Sequence, residues 1–572
     1  VSASRPGARA GGGSATLYAR LLGRGGGADG AGGPGVSLLH TADTARVEAH
    51  LPPGALDAGA RAVAALLAAQ RVRAGARVVL ALPTGPDFLA WFLGCLRAGV
   101  VPVPVPPPAP GAGGGAALGR LVGVAEDCAP ALVVLPAGTG AGGLPEALRG
   151  RALEGAARGE AGAAGAPAAP HGGRAAWLQY TSGSTARPRG VVVTHDNARA
   201  NLAAIGRAVR VRPADRVYSW LPLFHDMGLV GTLLFSLLHR LPLFLAAPAS
   251  FVFRPASWLR GISAHRATLS PAPHAAYALC AERLRPRDLE GLDLACWRLA
   301  LDGSEPISAP LARAFLARLA PHGLSPRAYL PVYGLAEATL ALTLPSPGEG
   351  LRSERVQREA LLAEGRALRA TPGEAAGALE HVSVGRALPG HALSVHAPRT
   401  GRRLPERRVG EVRVEGPSVS PGYHGRARRR GPLRTGDLGY LAGGELFLTG
   451  RLKDLVLLGG ANLHPEDVER ACAGLPGVRS GRLVAFGVPD AARGTERLVV
   501  AFEARAGTAP EARAALAGRV RARVREALGV EAEALALPPH ALPTTPSGKR
   551  MRHQARALYL AGGWTRNPGE TA

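Results

Sequence analysis

Residues 180–195 read YTSGSTARPRGVVVTH. A strand ends in a cluster of hydroxyls around Gly183, passes Ala-Arg-Pro-Arg-Gly, and re-enters a β-branched run. The backbone N–H groups and the side chains of Thr181, Ser182, Ser184 and Thr185 suit phosphate oxygens, and Arg189 adds positive charge. The loop is not a GxxxxGK[ST] phosphate loop, because Gly183 and Gly190 are wrongly spaced and no lysine follows. An ordinary Ser/Gly turn has the same composition, so other stretches must decide what it holds.

Four stretches bear on it. YGLAEAT (333–339) sets the ring of Tyr333 and the carboxylate of Glu337 one helical turn apart, suited to stacking on a base and ligating Mg²⁺. RTGDLGY (434–440) offers Asp437, a carboxylate able to accept both hydroxyls of a ribose. TGRLKD (449–454) adds Arg451 for the same sugar, and PTTPSGKR (543–550) presents Lys549 on a Gly-Lys turn. Taken singly, each of these groups is more often a surface or capping residue than a ligand.

Composition narrows the reading. At 572 residues the chain exceeds what one hydrophobic core supports, so two or more domains are expected. The longest apolar run, Leu229 to Leu238, is far short of the roughly 18 residues of a membrane span. Nothing at the start marks the chain for secretion, and five scattered cysteines without a CxxC pair suit a reducing cytoplasm better than zinc or disulfides. A net charge of +25 raises nucleic acid as a partner, but the basic residues are spread along the chain and no aromatics interleave with clusters such as RARRR (426–430). A solvated surface fits better, with docking of an acidic protein second. Only Lys453 and Lys549 are lysines among 68 basic residues, which makes both candidates for roles a planar guanidinium cannot fill, with chance survival as the alternative.

Along the chain, residues 1–35 read as a flexible Gly/Ala-rich lead-in. Helical spacing over 58–70, the strand ARVVLALP, the apolar helix PDFLAWFLGCLRAG and the run VVPVPVPPPAP suggest a βαβ unit of an α/β domain. ALSVHAP, GEVRVEG and GELFLTG suggest a small β subdomain, and a compact α+β unit follows residue 452. Between 343 and 381 lies a segment too long for an ordinary connection. A helix is expected in its middle, from Ser353 to Ala370, with Ser353 as cap and Leu361, Leu362 and Leu368 as a docking stripe.

In this order the motifs resemble those of the acyl-adenylate-forming superfamily, over about residues 36 to 555. WLPLFHDMGLVG (220–231), SPAPHAAYALC (270–280), residues 85–108 and the segment containing REALLAEGRA look like the fatty acyl-AMP ligases within it. The resemblance implies an α/β fold with a large N-terminal AMP-binding domain, 36–451, of two α/β subdomains and a small β-barrel. A mobile C-terminal domain, 452–572, would close over it, with Lys453 at the hinge.

The implied reaction is attack of a fatty acid on Mg²⁺-bound ATP, giving acyl-AMP, followed by transfer to an acyl carrier protein. Lys549 would be the catalytic lysine and Glu337 the metal ligand, while residues 181–185 and Arg189 hold phosphates. Asp302, Gly303, Ser304 and Glu305 match the adenine-side motif, and Tyr333 and Gly334 lie beside the base. Asp437 and Arg451 hold the ribose, and His225 lines the acyl site, walled by 229–246 and 270–280. The 343–381 insertion would hamper the swing that coenzyme A chemistry needs. Two departures stand out: Arg189 replaces the usual lysine of Gly-x-Pro-Lys-Gly, and Ala336 replaces the usual threonine before the glutamate.

No carrier domain follows Lys549, so the thiol acceptor is expected in trans. Neither nucleic acid nor integral membrane contact is expected. An acyl-CoA ligase is the nearer rival, and a non-catalytic basic binding protein the more distant one.

Overall fold

The computed structural model describes residues 16–22, 34–108, 115–140, 142, 144–154, 174–181, 188–458, 461–490, 495–544 and 550–564. The helix Pro86–Ala98 illustrates how local sequence and packing agree. Proline opens it, Asp87 lies in its first turn and Arg97 in its last, and Gly99 closes it at φ 68°. It is apolar nearly all round because it is buried nearly all round. At Gly94 a Cβ would stand 2.5 Å from Val63 Cβ, so the missing side chain lets the helix Pro53–Ala69 pack directly against it.

Two parallel sheets carry the α/β architecture. The larger runs Tyr329–Pro331, Leu299–Gly303, Leu269–Pro273, Val217–Ser219, Leu243–Leu245, Val36–Leu39 and Val47–Leu51 in spatial order, with only the last strand antiparallel. The smaller places Val101–Pro104, Arg77–Leu80, Leu132–Leu135 and Ala152–Glu154 side by side, all parallel. The inner strands are short apolar runs, as strands covered on both faces require, while the edge strands Val47–Leu51 and Ala152–Glu154 are partly exposed. The hairpin of Ala175–Thr181 with Arg189–Thr194 packs Leu178 and Tyr180 into the core of the smaller sheet.

The β subdomain is an antiparallel meander of Ala392–His396, Gly410–Glu415, Leu433–Ala442 and Glu445–Arg451. It shares a core with the three-stranded sheet of Tyr333–Gly334, Ala341–Leu344 and Arg386–Ala387. After residue 452 the strands Val478–Asp490, Thr495–Ala504 and Ala532–Leu537 form a mixed sheet with the helices Pro465–Ala471, Pro510–Leu528 and Arg552–Leu560. No helix among the described residues is long and apolar enough to cross a membrane.

Three expectations need correction. The lead-in is not wholly loose: Leu17–Leu22 is helical, and Leu17, Tyr18 and Leu21 are buried in the main core, with the Tyr18 hydroxyl bonded to Asp57. The middle of 343–381 is not one long helix. Ser353–Val356 is a strand paired with Leu379–Val382, and only Arg358–Glu364 is helical. Ser353 donates to Glu380 Oε1 at 2.5 Å instead of capping, because cross-strand pairing claims its backbone. Tyr333 and Glu337 do not share a helical turn, since Tyr333 lies on a strand and Glu337 in the 3₁₀ turn Ala336–Ala338.

The insertion is lodged against the C-terminal unit. Val356, Leu361, Ala367 and Leu379 share one apolar core with Val468, Leu516, Val520, Val524 and Leu528. Arg358 donates to the carbonyl of Ala527 at 2.9 Å, and Arg470 to that of Glu380 at 2.6 Å.

Candidate active site

Antiparallel register sets Asp437 opposite Arg451 on neighbouring strands. The Arg451 Nε donates to Asp437 Oδ1 at 2.8 Å, and the Tyr333 hydroxyl to Oδ2 at 2.6 Å. Burial and the Asp437 anion push the Tyr333 phenol well above its ordinary range, so it stays a donor. Gly334 is obligatory here: a Cβ would lie 1.9 Å from the Leu340 carbonyl oxygen. Tyr333, Asp437 and Arg451, three of the residues assigned to the nucleoside, are thus in one place.

Glu337 and Arg189 form a second group, joined by a residue the sequence did not flag. The Tyr423 hydroxyl donates to Glu337 Oε1 at 2.7 Å, and the Arg189 guanidinium lies 5.9 Å over the Tyr423 ring. The segment 418–424 stitches this group together: Ser420 N–H donates to the Glu337 carbonyl at 2.8 Å and His424 N–H to that of Gly190 at 2.8 Å. Thr339, two residues after Glu337, holds φ 76° while its hydroxyl bonds the Ser418 carbonyl at 2.8 Å. Strain of this kind persists only where surroundings enforce it. Ala336 is packed in the main core. Gly190 makes room for the Tyr180 ring, which a Cβ would meet at 2.8 Å. An aromatic inside the Gly-rich turn SPGYHGR (420–426) was the one signal for Tyr423.

The adenine-side stretch is braced from within the protein. Asp302 is completely buried and points inward: Oδ2 accepts from His274 Nδ1 at 2.7 Å and from the Tyr329 hydroxyl. His274 Nε2 accepts from Ser308 N–H at 3.0 Å, which leaves its ring proton on Nδ1. Glu305 accepts from Ala275 N–H at 2.8 Å, at the start of the helix His274–Arg283. Each carboxylate therefore braces the loop through one oxygen, while Asp302 Oδ1 is buried without a hydrogen-bond partner among the described residues. Gly303 fits beneath Val332, whose Cγ2 a Cβ would approach to 2.8 Å. Ser304 remains exposed at φ 71°, its hydroxyl 3.9 Å from Met227 Sδ.

That contact ties the loop to FHDMG. His225 is half-buried, its ring 4.8 Å from Phe224 and just ahead of the short helix Asp226–Gly228. Gln179, on the strand leading into the hydroxyl loop, donates to the Phe224 carbonyl at 2.8 Å. A π-helix, Leu229–Leu234, follows, with its apolar side chains in the main core.

Thr181 ends its strand in register with Arg189. Ser182, Gly183, Ser184, Thr185 and Lys549 lie outside the described residues. Lys453 lies in the 3₁₀ turn Leu452–Asp454, directly after Arg451. The residues following Lys549 are strongly anchored. Arg552 pairs with Asp454 at 2.5 Å, Glu466 at 2.9 Å and Glu469 at 2.9 Å, and Arg550 pairs with Glu469 at 3.0 Å. Among the described residues no cluster of three or more His, Cys, Asp or Glu could hold a metal. A single carboxylate such as Glu337 still suits Mg²⁺, which binds through one or two carboxylates plus substrate phosphates.

Residues 54–424 match the model of the AMP-binding enzyme family. A Caulobacter vibrioides protein named as an acyl-CoA synthetase is 38% identical, over 90% of this chain and 91% of that protein. The medium-chain-fatty-acid–[acyl-carrier-protein] ligase JamA of Moorena producens is 34% identical, over 89% of this chain and 89% of its own length. A solved structure from a study of fatty acyl-adenylate ligases of E. coli and L. pneumophila superposes with a TM-score of 0.86 at 33% identity, covering 96% of this chain and 98% of that one.

Proposed function

The chain belongs to the AMP-binding enzyme family, in its fatty acyl-AMP ligase branch, and from there we propose how its residues act. A fatty-acid carboxylate oxygen attacks the α-phosphorus of ATP. The bond to the β-phosphate oxygen breaks, and acyl-AMP and pyrophosphate result. The phosphopantetheine thiol of a carrier protein, acting in trans, then attacks the acyl carbonyl and expels AMP.

Both anions of the first step repel, so catalysis is positioning and charge neutralisation. Asp437 and Arg451 orient the ribose, Tyr333 and Gly334 flank the base, and the Gly303–Ser304 backbone meets the adenine edge. Asp302 and Glu305 act as positioning residues behind it. Thr181, the hydroxyls at 182–185 and Arg189 hold the β- and γ-phosphates. Glu337, oriented by Tyr423, would hold Mg²⁺, which when bound supplies further neutralisation of the phosphates. Lys549 bridges the carboxylate and α-phosphate, and His225 borders the acyl group. Residues 452–572 move about Lys453 as a domain against 36–451, and the 343–381 insertion restrains that movement. Five free cysteines support a reducing, cytoplasmic setting.

The observation that carries this reading is the joint placement of Tyr333, Asp437 and Arg451 at one point and Glu337, Tyr423 and Arg189 at another. ATP–pyrophosphate exchange across a panel of fatty acids tests it, followed by a choice of acceptor between coenzyme A and a phosphopantetheinylated carrier. No exchange with any acid rejects adenylation. The name of the Caulobacter relative favours a second reading, an acyl-CoA ligase, and efficient acyl-CoA formation would establish it.

A further inference from the structure

Two adjacent apolar side chains project from this surface: Val252 is 70% exposed and Phe253 83% exposed, at the end of the helix Pro248–Phe253. Beside them lies a groove of about 480 Å³ between Arg254–Ala256 and the turn Leu284–Asp288, floored by Leu279 and Leu284. Its rim is basic, with Arg254, Arg283, Arg285 and Arg287. Among the described residues Arg254 and Arg283 make no ion pair, while Arg285 is engaged by Asp288 at 3.3 Å. Arg283 also borders a second depression, lined by Glu282 and, from the C-terminal unit, by Arg505 and by Arg479, which pairs with Glu503 at 2.5 Å. Val252 and Phe253 thus form an exposed apolar pair beside four arginines of the groove, a combination that suits an interaction surface.

We propose that this groove docks the carrier protein that receives the acyl group, gripping an acidic helix of the carrier through its arginines and an apolar residue of the carrier beside Phe253. The proposal rests on the reading of a carrier as acceptor. Charge complementarity argues for an acidic partner on a chain of net charge +25, and the concave shape favours a helix over a flat surface. The place is suitable for delivery. Arg283 ends the ten-residue helix whose first turn is capped by Glu305, so the groove lies one helix length, about 14 Å, from the Ser304 loop. A flexible phosphopantetheine arm spans such a gap. The cluster at 426–430 is a poorer candidate, because Arg429 is turned back onto the carbonyls of Ser420 and Gly431.

Phe253→Ser and Arg283→Glu are made in the full chain and assayed twice, by ATP–pyrophosphate exchange and by acylation of a panel of phosphopantetheinylated acyl carrier proteins. Exchange should be unchanged, while KM for the carrier rises at least tenfold in each variant and rises with added salt in the wild type. Wild-type KM for the carrier in both variants overturns the surface and leaves the acceptor reading standing. Failure of the wild-type enzyme to acylate any carrier overturns both. Sedimentation with phosphatidylglycerol vesicles that is lost in Phe253→Ser, with carrier KM unaltered, assigns the patch to a membrane surface and overturns the proposal.

Discussion

The hydroxyl of Tyr333 donates to Oδ2 of Asp437 at 2.6 Å while Arg451 occupies Oδ1, so the carboxylate assigned to the ribose is held from both sides before any nucleotide arrives. A carboxylate has about four lone-pair positions. Two are used by the protein, and the remaining capacity can meet a diol without the side chain having to reorient.

Tyr333→Phe removes one of these restraints and little else. KM for ATP should rise about fivefold, equivalent to roughly 1 kcal/mol for one hydrogen bond, with kcat within a factor of two. Asp437→Ala should cost roughly 1–3 kcal/mol in ATP binding by titration calorimetry. A loss confined to melting temperature, with unaltered ATP affinity, would assign Asp437 to folding alone.

Lys549→Ala should abolish acyl-AMP formation and leave ATP binding largely intact, because the lysine acts on charge that develops in the transition state. Lys549→Arg should also be badly impaired, since a planar fork does not replace a compact ammonium. Adenylation by the Arg variant at the wild-type rate would remove the argument from the two surviving lysines.

Glu337→Gln should raise the magnesium concentration needed for half-maximal exchange. Tyr423→Phe should shift it in the same direction but by less, because it removes only the hydrogen bond that orients the carboxylate. Superimposable magnesium titrations for all three proteins would count against this site.

Excising 350–376 with a short Gly/Ser bridge should permit some acyl-CoA formation if the insertion restrains the C-terminal unit mechanically. Because excision also strips Val356, Leu361 and Ala367 from a shared core, the double variant Arg358→Ala, Arg470→Ala is the gentler test. It cuts the two ties to the insertion without removing an apolar side chain from that core. Arg470→Ala also removes the 2.7 Å pair with buried Asp467, so the Arg358→Ala single variant is compared alongside. No acyl-CoA from either variant would place the block elsewhere.

His464 sets a pH limit on the same junction. Burial lowers its imidazole from 6.5 to about 4, with Arg470 and His381 also disfavouring the cation and Asp467 opposing them. The folded state thus favours neutral His464. Its contribution is complete above pH 6.5 and is lost as pH falls from 6.5 towards 4, by about 3 kcal/mol in total. Proteolysis of residues 452–572 should accelerate over that window, and His464→Gln should flatten the dependence.

What the sequence by itself determined was local. The hydroxyl loop, the Gly-Lys turn and the Asp437 and Arg451 stretches are short runs whose side-chain chemistry is visible without neighbours, and the parallel strands announce themselves as apolar runs between turns. Tertiary structure alone decided which protein partners those side chains meet. Asp302 and Glu305 read as ligands, and the fold gives one oxygen of each a protein partner, His274 and Tyr329 for Asp302 and the Ala275 N–H for Glu305. Tyr423 carries only the weak signal of an aromatic in a Gly-rich turn, yet it joins Glu337 from 86 residues away. Ser353 reads as a helix cap, but pairing with the strand Leu379–Val382 outweighs a helix of marginal length. In each case the deciding partner is distant in the chain, and periodicity or spacing carries no information about burial against it.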